Sequence, residues 1–266
     1  MNEIIKPRRT YGRRAKPFGP VRAGAMERLP EYEIDLNGAA PGTLDPQKTF
    51  PFSLEGEGGR RPDEGAEKSS LNFKAWATTT TPSPAATQHP LPPGRGVSFN
   101  HVHLEIGAGT GEHVAELAAA NPADLFLAAE PYQAGVANLM RIIIAQNIPN
   151  IRIYPNDGLA LLKALQTASI DHAYLLFPDP WPKTRHSDRR FLQAETLAEF
   201  TRVVRPGGSL LLASDDPGMQ AWMHTHMASQ TEFTRQNHAP HEPITRYAAK
   251  GLAAGKTLQY LYFIRK

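Results

Sequence analysis

Residues 103–111 read His-Leu-Glu-Ile-Gly-Ala-Gly-Thr-Gly, and the fold follows from them. An apolar run over 97–106 ends in Gly107, Gly109 and Gly111, and Val114, Leu117 and Ala118 then recur at helical spacing. A strand, a glycine turn and a helix start form a general cradle for a nucleotide-like cofactor, because glycine lets the chain turn and lets a ligand approach the backbone. An ordinary strand-to-helix turn is the bland alternative. Three glycines in five residues, with Glu105 two residues ahead of the first, favour the cofactor.

The spacing narrows the cofactor. A dinucleotide fingerprint is G-x-G-x-x-G. Here the pattern is G-x-G-x-G, and Glu112 stands where the last glycine belongs. A carboxylate there opposes a pyrophosphate, so a cofactor without phosphates is expected. S-adenosylmethionine (SAM) is the natural choice, and the Glu-x-Gly-x-Gly-x-Gly form resembles motif I of the class I SAM-dependent methyltransferases.

Downstream, strand-like and helix-like pieces alternate. Strands are predicted at 125–129, 151–154, 170–177 and 209–214, and antiparallel candidates at 232–237 and 258–265. Val136, Leu139, Met140, Ile143 and Ile144 mark one helical face. Ser187 is a candidate N-cap, residues 205–208 a helix stop, and 238–257 a loop. The fold class predicted is α/β, a Rossmann-like, mostly parallel sheet with an antiparallel C-terminal strand and helices on both faces. Ligands bind such sheets beyond the carboxyl ends of the strands. Polar groups do collect there: Glu105, Glu130, Asp157, Asp179 and Asp215.

Glu130 lies 19 residues after Gly111 and suits the two ribose hydroxyls of an adenosine. Asp157 suits an adenine amine, although Asn156-Asp157-Gly158 also reads as a turn and helix cap. Glu105 is placed to reach the amino group of a methionine moiety, directly or through water. Residues 178–181, Pro-Asp-Pro-Trp, stiffen a strand end and aim Asp179. Trp181 offers a ring to stack on a base or to pack the loop. Lys183, Arg185, Arg189 and Arg190 follow, which beside a cofactor site suggests phosphate contact.

Composition sets the frame. The 266 residues are 41% hydrophobic, lack cysteine and hold no 18-residue apolar run. Disulfides, cysteine-ligated metals and membrane-spanning helices are therefore not expected, and a cytoplasmic location is. No histidine pair has convincing metal-ligand context, so no metal is expected. Net charge is +3, but residues 4–26 hold seven basic residues and no acid. A basic arm over 1–26, flexible when free, points to nucleic acid. Pro7, Gly12, Pro17, Gly19 and Pro20 argue against a mitochondrial presequence. Residues 27–96 read as an irregular, partly disordered insertion or linker: positions 37–96 hold 9 Pro and 8 Gly, near the level of low-complexity sequence. Short ordered pieces are expected at 27–36, 50–54 and 71–76. The remaining body, 97–266, is read as one catalytic domain.

Residues 101–217 resemble the bacterial tRNA (guanine-N7-)-methyltransferase family. The resemblance is carried by 104–111, 130–136, 176–190 (Leu-Phe-Pro-Asp-Pro-Trp-Pro-Lys-Thr-Arg-His-Ser-Asp-Arg-Arg), 205–208, 213–215 and 245–247. It does not extend to 37–96. It implies methyl transfer from SAM to N7 of a guanosine in the variable loop of tRNA. It implies that Glu105, Glu130, Asp157 and Asp179 bind SAM, with Asp179 also catalytic, and that Lys183, Asp215 and Thr245, Arg246, Tyr247 and Ala248 contact substrate. Three departures stand out: Pro131-Tyr132 for the family's Val-His, Thr184 and Asp188 where lysines are frequent, and Ala248 in place of a glutamate. Alternatives are a SAM methyltransferase acting on another RNA, a protein or a small molecule, a non-catalytic SAM- or RNA-binding relative, and, least favoured, an NAD-linked oxidoreductase. tRNA is the expected partner, a membrane is not, and the protein is a monomer or homodimer.

Overall fold

Strands flanked by helices on both faces should read as continuous apolar runs; residues 125–129 (Leu-Phe-Leu-Ala-Ala) and 210–213 (Leu-Leu-Leu-Ala) do, whereas 102–106 and 170–176 carry buried or half-buried polar residues, His103, Glu105, Asp171 and His172. A computed structural model describes residues 18–50 and 98–266. In chain order the elements are α1 Pro20–Glu27, α2 Pro46–Thr49, β1 Val102–Ile106, α3 Glu112–Ala120, β2 Leu125–Ala129, α4 Gln133–Gln146, β3 Ile151–Tyr154 and α5 Gly158–Ala164. They continue with β4 Ile170–Leu176, a 3-10 turn Thr184–Arg189, α6 Ala194–Val203, β5 Val204–Ser214, α7 Pro217–Ala228, β6 Phe233–Gln236, α8 Arg246–Ala253 and β7 Gln259–Arg265. The described residues form a seven-stranded sheet in the order β3-β2-β1-β4-β5-β7-β6, in which β7 alone runs antiparallel to its neighbours. Every residue of β1 and β2 is buried. Their side chains alternate between two cores, Leu104 and Leu127 on one face and Phe126 and Ala128 on the other.

The predicted β/α alternation holds, and the bounds of β2 and β3 agree residue for residue. Four local expectations are corrected. Ser187 lies inside the 3-10 turn; the α6 N-cap is Gln193, which forms a capping box with Thr196. Residues 205–208 do not merely stop a helix. They are the first part of β5, where Arg205 Nε donates to Asp171 Oδ1 at 2.5 Å and Gly208 lies against the Asp171 carbonyl. The predicted loop 238–257 contains α8, capped by Thr245. The arm read over 1–26 becomes helical at Pro20, and α1 packs on α4 through Ala25. Residues 1–17 lie outside the described residues.

Residues 27–50 are an ordered border rather than irregular chain. Tyr32–Ile34 pairs with the outer edge of β3, with Ile34 N to Ile153 O and Ile153 N to Tyr32 O both at 2.7 Å. The pairing covers backbone groups that an edge strand would otherwise expose. Leu44 is buried beside α5, and the Gln47 side chain exchanges two hydrogen bonds with the backbone of Phe99, at 2.9 and 2.8 Å. Of the piece expected at 50–54 only Phe50 is described, half-buried against the core, and the piece at 71–76 lies outside the described residues. Among the described residues, no helix is long and apolar enough to cross a membrane.

At the end of the sheet away from the glycine turn, His101, His103 and His172 cluster with Asp124, Asp171 and Tyr174. Burial pushes His172 down to about 3, and His103 also falls. His241, elsewhere in the fold, falls to about 4 for the same reason. Between these values and the unfolded value near 6.5, the unfolded chain binds protons that the folded chain refuses. Stability is therefore lost as pH falls below about 6.5, at up to about 1.4 kcal/mol per pH unit for each histidine. Glu130, raised to about 7, works in the opposite sense between 4.5 and 7, but it is one carboxylate against His172 and His241 together over most of that range. The expected result is a melting temperature that drops steadily from pH 6.5 to 4, with a shallower slope in His172→Gln, read by scanning fluorimetry.

Candidate active site

The glycine turn leaves β1 with Gly107, Gly109 and Gly111 at φ +76°, +58° and +81°. Two close approaches explain where glycine is required. A Cβ on Gly111 would meet Leu139 of α4 at 2.6 Å, in addition to the strained φ. Gly135 lies in α4 with ordinary helical backbone, yet a Cβ there would overlap the Gly109 carbonyl oxygen. The turn is thus seated on α4, by backbone contact at Gly135 and by the Leu139 side chain at Gly111.

Beyond the strand ends lies an open cleft of about 820 Å³. Gly107, Gly109, Glu130, Asp157, Asp179, Arg246 and Tyr247 line it together with Trp181 and Arg189, so residues singled out along the whole body of the sequence converge there. Glu130 ends β2, and its two oxygens accept from Gly109 N and Tyr132 N, each at 2.7 Å. Burial pushes its pKa up to about 7; the two backbone donors oppose the rise, while Asp179 and Glu105 add to it. A carboxylate oxygen has two acceptor positions, so both remain able to take a ligand hydroxyl. Asp157 is the helix cap that the sequence allowed, accepting from Leu159 N at 3.0 Å at the start of α5, and it also lines the cleft.

Asp179 sits on a loop of unusual backbone. Phe177 and Trp181, on either side of Pro178-Asp179-Pro180, both have left-handed φ, +49° and +42°. Non-glycine residues in that region cost about 1–3 kcal/mol each, so surrounding contacts must hold them. Phe177 N donates to Ala213 O at 2.8 Å. Arg190 donates to Pro180 O at 2.9 Å and Trp181 O at 3.3 Å, and its guanidinium lies over the Trp222 ring at 4.6 Å. Arg190 is therefore a buried clamp on the loop, which corrects the reading of it as a phosphate contact. Arg189 stays exposed, 4.9 Å over Trp181, and lines the cleft. The Asp179 carboxylate accepts no hydrogen bond among the described residues. It opens to the cleft, whose walls still desolvate it and push its pKa up.

The remaining expected residues lie elsewhere. Glu105 is buried and bonded to His113, and it faces a small adjoining cavity together with Thr245, Arg246 and Tyr247. Gly111, the last glycine of the turn, packs against Leu139 and lines neither cavity. Lys183 is exposed on the loop outside the cleft lining. Asp215 pairs with Lys256 at 2.7 Å and lines neither cavity. Ala248 presents no surface: it is fully buried, and its N–H donates to Thr245 Oγ1 at 3.1 Å. Thr245 thus keeps half of a Thr-x-x-Glu capping box whose glutamate is absent. Cleft residues missed in the sequence include Gly135 and Phe191, while Arg22, counted there among the seven basic residues of the arm, also lines the cleft. A glycine inside the helical period of α4 was the available signal for Gly135.

The donor set suits a cationic, phosphate-free cofactor. Glu130, Asp157 and Asp179 face the cleft and Glu105 its annex, while Glu112 occupies the glycine turn and accepts from the Thr110 hydroxyl at 2.5 Å. Residues 100–261 match the family described as "Putative methyltransferase". The tRNA (guanine-N(7)-)-methyltransferase of Paramagnetospirillum magneticum is 38% identical over 195 residues, 70% of this chain and 81% of the relative. The same-named protein of Mesorhizobium japonicum is 38% identical over the whole of both chains. This chain belongs to the tRNA (guanine-N7-)-methyltransferase family. It is a methyltransferase, and its methyl donor is S-adenosylmethionine. A solved 16S rRNA methyltransferase, KamB, is similar over 63% of this chain and 89% of its own, at 16% identity and TM-score 0.46. With the family in place, the Pro178–Trp181 loop and the acids at the strand ends are the features of this methyltransferase that sequence and structure share.

Proposed function

We propose that the enzyme methylates N7 of a guanosine in the variable loop of tRNA, with Asp179 as the residue that holds the guanine. One observation supports this above others: a carboxylate with no bonded partner among the described residues is aimed into the cleft by a clamped loop, beside Trp181 and Arg189. S-adenosylmethionine supplies an electrophilic methyl group on a sulfonium. Guanine N7 has an available lone pair beside O6 and needs no base to remove a proton. The carbon–nitrogen bond forms as the carbon–sulfur bond breaks, and positive charge passes to the purine ring. The chain's task is therefore positioning and electrostatics. Asp179 accepts from the guanine N–H groups and stabilises the charge that develops on the ring. Trp181 offers a face for stacking once the base has left its own stack. Arg22, Arg189 and Arg246 line the cleft as cations for RNA phosphates. Glu130 holds the ribose hydroxyls of the cofactor, Asp157 its adenine amine and Glu105 its ammonium.

The test is to incubate an unmodified tRNA transcript with enzyme and S-adenosylmethionine, digest to nucleosides and measure 7-methylguanosine by mass spectrometry, then map its position. Methylation outside the variable loop, or none by protein that binds S-adenosylmethionine, overturns the reading. Glu130 adds a pH prediction. Its raised pKa, about 7, leaves it part-protonated at neutrality. Ribose hydroxyls favour the carboxylate form, so cofactor affinity should fall as pH drops from about 8 to 6. Calorimetry on Glu130→Gln should show weaker binding with that pH dependence removed.

A further inference from the structure

His113 stands in the first turn of α3, two residues past the last glycine of the turn. Its Nδ1 lies 2.9 Å from Glu105 Oε2, and the two side chains are only 4% and 5% exposed. The Tyr174 ring meets it edge-on at 5.3 Å, and the His241 ring stacks on it at 6.3 Å. Its other nitrogen, Nε2, is buried and has no hydrogen-bond partner among the described residues.

These facts choose the tautomer. A proton on Nε2 would be a buried N–H without an acceptor, which costs more than a bare lone pair. The proton belongs on Nδ1, which donates to Glu105. One carboxylate oxygen is then engaged, and the ring contacts prevent the histidine from turning away. Glu105 and His113 together border the small cavity that adjoins the main cleft at Gly107 and Tyr247. Only the end of a bound cofactor can reach so small a space.

We propose that His113 is a positioning residue: it orients the Glu105 carboxylate toward the ammonium of the cofactor's amino-acid moiety. The proposal rests on the assignment of Glu105 given above. It makes discrimination for the amino-acid end of the cofactor, rather than adenosine binding, the property that His113 controls. His241 comes from the segment between β6 and α8, so the same ring also gives that segment a seat beside the cofactor pocket.

Two probes separate this role from a merely structural one. S-adenosylhomocysteine carries the amino acid; methylthioadenosine shares the adenosine and thioether but lacks it. Calorimetry gives the ratio of their affinities. His113→Phe keeps a ring between Tyr174 and His241 but removes the donor. It should lower the ratio by more than about tenfold while leaving methylthioadenosine binding unchanged. His113→Asn, which returns an N–H near the Nδ1 position, should recover most of the ratio. Should the Phe variant not fold, His113→Ala has the same readout. Glu105→Gln tests the underlying assignment. If Glu105→Gln collapses the ratio and the Phe or Ala variant leaves it intact, the positioning role is wrong and the Glu105 assignment stands. If Glu105→Gln leaves the ratio intact, both are wrong.

Discussion

Asp179→Asn lowers 7-methylguanosine formation by about 10²–10³-fold, the usual loss when one preorganised electrostatic group is removed, while S-adenosylmethionine affinity changes little. The substitution keeps the shape of the side chain, so the loop has no steric reason to move. The loop does not depend on the carboxylate: it is held by Arg190 on the Pro180 and Trp181 carbonyls and by Phe177 on Ala213. The carboxylate itself opens to the cleft, is partly desolvated by its walls and accepts from no donor among the described residues. What the variant loses is charge opposite a purine that becomes positive, and an acceptor for guanine N–H groups. Single-turnover methylation of a tRNA transcript, with calorimetry for the cofactor, separates the two effects. Wild-type turnover would remove Asp179 from the reaction. A large loss of cofactor affinity would make it a cofactor ligand first.

The second large effect is expected at Gly135, which contributes no functional group. In Gly135→Ala the new Cβ overlaps the Gly109 carbonyl oxygen and lies 3.0 Å from Glu130 Cγ. The obstructing atoms include backbone, so no rotamer change relieves the contact. Either α4 or the glycine turn must move, at a cost of about 1–3 kcal/mol or more. A shift of the turn also breaks the 2.7 Å bond from Gly109 N to Glu130, the acid assigned to the ribose. S-adenosylmethionine affinity should fall by about 100-fold or more, because a misplacement of about 1 Å is enough for that loss. The melting temperature should fall with it. Gly24→Ala is the control: that glycine is in α1, a methyl group added there meets nothing within 4 Å, and alanine is the better helix former by about 1 kcal/mol. Equal behaviour of the two variants in melting and binding would show that the contact between turn and helix does not matter.

Legibility in the sequence followed the range of the interaction. The runs of β2 and β3 and the glycine turn rest on neighbours a few residues away, and they appear where expected. Glu130, Asp157 and Asp179 reach the cleft and Glu105 its annex, because a parallel sheet delivers strand ends to one edge, whereas Asp215 is turned to Lys256 and lines neither cavity. Arg189 and Arg190 show the limit. They are adjacent and chemically the same, yet one faces the cleft and the other is buried under Trp222. Nothing local distinguishes them; Trp222 comes from α7. The α8 helix was hidden because its short amphipathic pattern holds a glycine, Gly251, whose reason for being there is Asp215, 36 positions away.

The alternation of strands and helices over 102–228, the cofactor turn and the preference for a cofactor without phosphate were legible in sequence alone, since each depends on periodicity, glycine spacing and charge within a short window. Tertiary structure decided which groups meet. It set Gly135 against the turn, paired Glu105 with His113, turned Ala248 inward and drew residues 32–34 across the edge of β3. Those outcomes come from contacts between distant segments, where packing density and the need to satisfy buried polar groups choose among residues that are equivalent in sequence.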